Sequence, residues 1–165
     1  MTDGTINISA VGSGANLSGV EIWKQTAGTT TTTATTPTTT TPTPTGAQVT
    51  SFTLINADTD KDIQTIANGA ILNLAALPTR NLNIRANVAG ATGSVVFALS
   101  GAATQNQTES TAPYALFSDY QGDYNAWTPN VGSYSLTARP YSGGGGAGTL
   151  GTAATIRFSV TNQAL

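Results

Sequence analysis

Ser133-Tyr134-Ser135-Leu136-Thr137-Ala138 and Thr155-Ile156-Arg157-Phe158-Ser159-Val160 decide the reading of this chain. Each alternates polar and apolar side chains over six residues, the period at which successive residues of a strand face opposite sides of a sheet. Working outward, Val49-Thr50-Ser51-Phe52-Thr53-Leu54-Ile55, Ile71-Leu72-Asn73-Leu74, Leu82-Asn83-Ile84-Arg85-Ala86 and Val95-Val96-Phe97-Ala98-Leu99 are further short apolar-rich runs. Gly, Pro, Asn or Ser bounds each of them, and Ile63 to Ile66 reads as an edge strand. Many short strands with no amphipathic helix between them predict an all-β fold, a β-sandwich of immunoglobulin type over residues 47–165. The inward set expected from alternation is Phe52, Leu54, Leu74, Ile84, Val96, Ala98, Tyr134, Leu136, Ile156, Phe158 and Val160. About 119 residues carry enough apolar surface to fold alone.

Two segments precede that domain. Residues 1–25 read as a β-hairpin, with Ile6 and Ile8 on one strand face and Val20, Ile22 and Trp23 on the other strand. A lone two-stranded hairpin is marginal in water, so this face needs a covering surface. Residues 26–46 form a linker; Thr26 to Thr45 holds 14 threonines in 20 positions with Pro37, Pro42 and Pro44. Such a tract cannot build a core and is expected to be extended. Thr30, Thr32, Thr36, Thr38, Thr40 and Thr43 are the expected acceptors of O-linked sugar. Asn7, Asn16 and Asn106 each begin an Asn-x-Ser/Thr sequence.

Composition narrows the function classes. Of the 165 residues only 8% are charged, the formal charge is −2, and there is neither cysteine nor histidine. No basic field attracts phosphates, so nucleic acid is not an expected partner. No apolar run approaches a membrane span. Without histidine, Ser-His-Asp and Cys-His catalysis and the usual zinc ligands are removed, and no cofactor is expected.

Four local patterns have both a functional and a structural reading. Asp58, Asp60 and Asp62 alternate as oxygen ligands do in calcium loops. Ile63 stands where such a loop needs glycine and Gly69 where it needs a bidentate Glu, which favours a solvated turn. Glu109, Asp119 and Asp123 are the remaining acids of the domain, and paired carboxylates can hydrolyse glycosides. The surrounding Asp119-Tyr120-Gln121-Gly122-Asp123 reads instead as a turn, with Gly122 at positive φ. Tyr114, Phe117, Tyr120, Tyr124 and Trp127 could stack on sugar rings or plug one end of a sandwich core, the commoner fate. Ser142 to Gly148 lacks the Lys-Ser/Thr and helix of a phosphate loop and reads as a flexible hairpin loop.

The stretches Ser51 to Asp60, Asn81 to Asn87, Gly122 to Trp127 and Gly132 to Tyr141 resemble the immunoglobulin-like C-terminal modules of large bacterial surface and secreted proteins. That resemblance covers residues 49–162 and implies an extracellular or cell-surface setting. Asp3 to Ile8 and Leu17 to Ile22 are similar to the closing strands of malectin-like carbohydrate-binding domains, over residues 3–22. The expectation is therefore a non-catalytic structural or adhesive module. It would assemble with other copies, or other surface proteins, through Ile6, Ile8, Val20, Ile22 and Trp23. The alternative is an accessory domain of a larger carbohydrate-binding or polysaccharide-degrading protein, with glycans as its partners.

Overall fold

The computed structural model describes residues 46–164. The N-terminal hairpin with Ile6, Ile8, Val20, Ile22 and Trp23, and the threonine tract with its six acceptor positions, lie outside the described residues.

The fold is all-β, a two-sheet sandwich. In chain order the strands are β1 (Gln48–Asn56), β2 (Lys61–Thr65), β3 (Ala70–Asn73), β4 (Leu82–Ala89), β5 (Ser94–Gly101) and β6 (Gln105–Glu109). The two-residue β7 (Tyr114–Ala115), β8 (Asp119–Tyr120) and β9 (Asp123–Tyr124) follow, then β10 (Gly132–Tyr141) and β11 (Ala154–Thr161). One sheet runs β2-β1-β4-β7 and the other β3-β11-β10-β5-β6, while β8 and β9 form a separate ribbon. All pairings are antiparallel except β3 with β11.

The core lies between the sheets because alternation in both delivers apolar side chains to the same space. Phe52, Leu54, Ile84 and Ala86 from the first sheet meet Phe97, Leu99, Leu136, Phe158 and Val160 from the second. Removing a side chain of the size of Phe or Leu from water contributes about 1.5–3 kcal/mol, so this layer dominates stability. Leu74, Tyr134 and Ile156 are buried as alternation predicts.

Val96 and Ala98 depart from the prediction. They face outward and are half-buried, while Val95, Phe97 and Leu99 enter the core. Residues 95–99 are apolar at every position, so either alternate set could have pointed inward. The set with Phe97 and Leu99 has the larger apolar volume and takes the core. A second departure is β6, whose Gln-Asn-Gln-Thr-Glu sequence has no apolar residue to mark it. It is held as an edge strand by backbone pairing to β5 from Leu99↔Gln105 to Val95↔Glu109.

Strand directions set where the chain passes through the sandwich. Gln48 lies beside Ala89 and Asn56 beside Leu82, whereas Ala154 lies beside Ala138 and Val160 beside Gly132. Ser94 is opposite Tyr141, so Gln48, Ser94 and Ala154 share one end. The chain therefore comes in at that end, by Ala47, and goes out at the other, by Thr161. At the first end Thr152 donates its N–H to the Ala47 carbonyl (2.9 Å) and accepts that of Val49 (3.0 Å). Gly151 makes room for this contact, since a Cβ there would overlap the Ala47 carbonyl.

Candidate interaction surface

The acids are divided among separate partners. Asp58 accepts from the Thr79 hydroxyl and from Asn81 Nδ2 at 2.7 Å. These two bonds, Thr79 first, hold its carboxyl below the ordinary value of 3.8. Asp60, in a left-handed turn at φ 57, accepts the Tyr124 N–H at 2.9 Å. Asp62 forms a 2.8 Å ion pair with Arg85, which keeps that guanidinium's pKa above its usual range. The three carboxylates are aimed at four separate donors and are not gathered on one cation. Among the described residues no group of three His, Cys, Asp or Glu side chains is gathered for a metal.

Glu109, Asp119 and Asp123 are also apart in role. Glu109 accepts from Gln107 Nε2 and from the Ser118 hydroxyl, both at 2.7 Å. Asp119 accepts the Gly122 N–H at 2.7 Å, closing the turn between β8 and β9, where Gln121 and Gly122 both have positive φ. Asp123 is exposed on the ribbon.

The aromatic cluster is split. Phe117 stacks on Trp127 with ring centroids 4.6 Å apart, Trp127 meets Tyr134 edge-on at 5.7 Å, and Tyr134 stacks on Phe158 at 5.2 Å. This column closes one end of the core. Tyr114 is buried with its hydroxyl donating to the Thr92 carbonyl at 2.8 Å. Burial raises the pKa of both Tyr114 and Tyr134 above 10.0. Tyr124 packs with Ile55 and Ala115 on the outer side of the first sheet. Tyr120 alone stands out, 73% exposed.

What holds the ribbon down is Asn83, a residue the sequence reading did not single out. It is fully buried; its Nδ2 donates to the Ser118 carbonyl (3.1 Å) and the Asn125 carbonyl (2.8 Å). Its Oδ1 accepts the N–H of Ile84 (2.7 Å) and of Phe117 (3.2 Å). An amide with both ends satisfied fixes the segment 117–125 against the sheet. On that ribbon Asp119 is paired with Tyr124 and Tyr120 with Asp123. Since Tyr124 points into the sheet, Tyr120 and Asp123 share the outward face.

Side chains of β5 and the residue after β6 bond to the glycine-rich loop. Ser94 Oγ donates to the Gly143 carbonyl (2.5 Å) and accepts the Gly146 N–H (2.9 Å), while Ser110 Oγ accepts the Gly145 N–H (2.8 Å). The loop is thereby tied to the ends of β5 and β6.

The outer face of the second sheet is rich in hydroxyls. Ser133, Ser135, Thr137, Arg139, Thr155, Arg157, Ser159, Val96, Ala98, Asn106 and Thr108 occupy its outward positions. It carries two arginines and no acid, and among the described residues neither Arg139 nor Arg157 has a carboxylate partner. Asp58, Asp60, Asp62, Asp119 and Asp123 all lie on the β1–β2 hairpin or the ribbon, with the first sheet. The first-sheet side thus carries five aspartates against Lys61 and Arg85, and the outer face of the second sheet two arginines, so the two sides differ in net charge. No helix among the described residues is long and apolar enough to cross a membrane. Comparison with models of known protein families, with curated proteins and with solved structures finds no match.

Proposed function

We propose that this protein is a non-catalytic structural or adhesive module of an extracellular surface, which assembles with other copies, or with other surface proteins, through its N-terminal segment. The observation that carries the reading is the passage of the chain through the sandwich, in at one end by Ala47 and out at the other by Thr161. A module with opposite inlet and outlet extends a stalk or fibre by its own length, roughly 30 Å for a nine-residue strand. The parallel pairing of β3 with the final strand supports the immunoglobulin type within the sandwich class. Asp58, Asp60, Asp62, Glu109 and Asp119 serve hydrogen bonds or an ion pair, and Phe117, Trp127, Tyr134 and Phe158 serve packing, as a scaffold requires. The threonine tract before Ala47 is a spacer that carries sugar in this setting, so natively purified material has an intact mass above 16.7 kDa.

The test is sedimentation and electron microscopy of the full chain across a wide concentration range. Concentration-dependent growth is expected, abolished by Ile8→Asp with Ile22→Asp while the cooperative melt of the sandwich persists. A chain that stays monomeric at every concentration refutes the assembly reading. If such a monomer is also retained on a polysaccharide resin, the accessory-domain reading takes its place.

A further inference from the structure

On the polar outer face of the second sheet, Val96 and Ala98 are half-buried apolar side chains of β5. Arg139 and Thr108 flank Val96 on the neighbouring strands, and Asn106 flanks Ala98. Together they line a depression of about 330 Å³, with an apolar floor and a guanidinium at its rim.

The same chain displays a group of matching shape and opposite charge. Tyr120 is 73% exposed, and Asp123 is paired with it across the ribbon on the same outward face. Asn83 and the Asp60 carboxylate hold the ribbon to the first sheet, so the knob is presented with little freedom left to lose on binding. The ribbon that carries the knob packs through Tyr124 on the outer side of the first sheet, while the depression opens on the outer face of the second.

We propose that the Tyr120–Asp123 knob of one copy seats in the Val96–Ala98 depression of the next, the phenol ring on the apolar floor and Asp123 paired with Arg139. The inference rests on the assembly reading and supplies a second contact beside that of residues 4–24. The occupant is argued from net charge: five aspartates outweigh Lys61 and Arg85 on the knob side, and Arg139 and Arg157, without carboxylate partners among the described residues, stand on the depression side of every copy. Knob and socket are different surfaces, so the contact is heterologous and propagates into an open filament rather than closing a dimer. Even the whole five-strand face offers only about 500 Å², and the depression over β10, β5 and β6 is a part of it. That is below the roughly 800 Å² per partner of a standard interface, so the contact is weak and salt-sensitive.

The experiment uses the full chain in sedimentation velocity at low and high salt. Arg139→Glu, Asp123→Lys and Ala98→Glu are each expected to lower the association constant about tenfold or more with unchanged melting temperature. Mixing the Arg139→Glu chain with the Asp123→Lys chain should restore assembly. In the mixture each reversed socket meets a reversed knob, and each native socket a native knob. If assembly survives all three changes but is lost with Ile8→Asp and Ile22→Asp, this contact is wrong and the assembly reading stands. A chain monomeric under every condition overturns both. Arg139-dependent retention on dextran sulfate without self-association overturns it as well, making the face a site for anionic glycans.

Discussion

Replacing Asn83 by Ala should cost the sandwich about 3 kcal/mol. The buried amide makes three bonds to residues at least 34 positions away: to the carbonyls of Ser118 and Asn125 and from the N–H of Phe117. A typical hydrogen bond contributes about 1 kcal/mol net, and a buried group left unpaired costs about 1–3 kcal/mol. Water can reach some of the orphaned groups once the segment lifts, which keeps the sum near the lower bound. For a domain of this size 3 kcal/mol lowers the melting temperature by roughly 10 °C. Urea unfolding of the variant measures the loss, and amide exchange reports where it falls. Exchange at Phe117 and Tyr124 should quicken far more than at Leu136 in the core. A variant within about 0.5 kcal/mol of the parent, or one whose exchange rises evenly across both sheets, would refute the view that Asn83 latches the ribbon.

Gly151→Ala pushes a methyl group into the Ala47 carbonyl, and losing the two Thr152 backbone bonds should cost about 2 kcal/mol, read by thermal melting. The raised pKa values of Tyr114 and Tyr134 predict stability that is complete below pH 10.0 and declines as pH rises through their folded values, because the unfolded chain loses those protons first. Melting between pH 8 and 12 checks this. The lowered pKa of Asp58 adds the opposite limb: its contribution is present above about pH 3.8 and disappears as pH falls below it. Excess chelator or added calcium should leave the melting temperature unchanged, since Asp58, Asp60 and Asp62 already serve protein donors; a shift of several degrees would reinstate a calcium loop.

The strands most open to reading were those with one apolar face. Tyr134, Leu136, Ile156 and Phe158 alternate with Ser, Thr and Arg, so sequence alone orients them. Where both faces are apolar, as over residues 95–99, periodicity is silent and packing volume chooses the side. The depression around Val96 and Ala98 was hidden for that reason. An edge strand needs only a backbone partner, which left β6 without a mark in its side chains. Gly122 announced the turn of the ribbon, yet nothing local in Leu82-Asn83-Ile84 reveals the partners of Asn83. They arrive from a segment more than thirty residues downstream and exist only once the chain has folded.

The opposite inlet and outlet also govern how the module responds to tension. A pull on Ala47 away from Thr161 drags β1 lengthwise along β4, because the two run antiparallel from Gln48↔Ala89 to Asn56↔Leu82. At the other terminus β11 is drawn lengthwise along β10 and along its parallel neighbour β3. In both places the ladder bonds share the load together instead of opening one at a time like a zipper. Before β1 can slide, the two bonds between Thr152 and the Ala47–Val49 stretch must also part. Extension therefore meets resistance at both terminal strands before the core between the sheets is exposed.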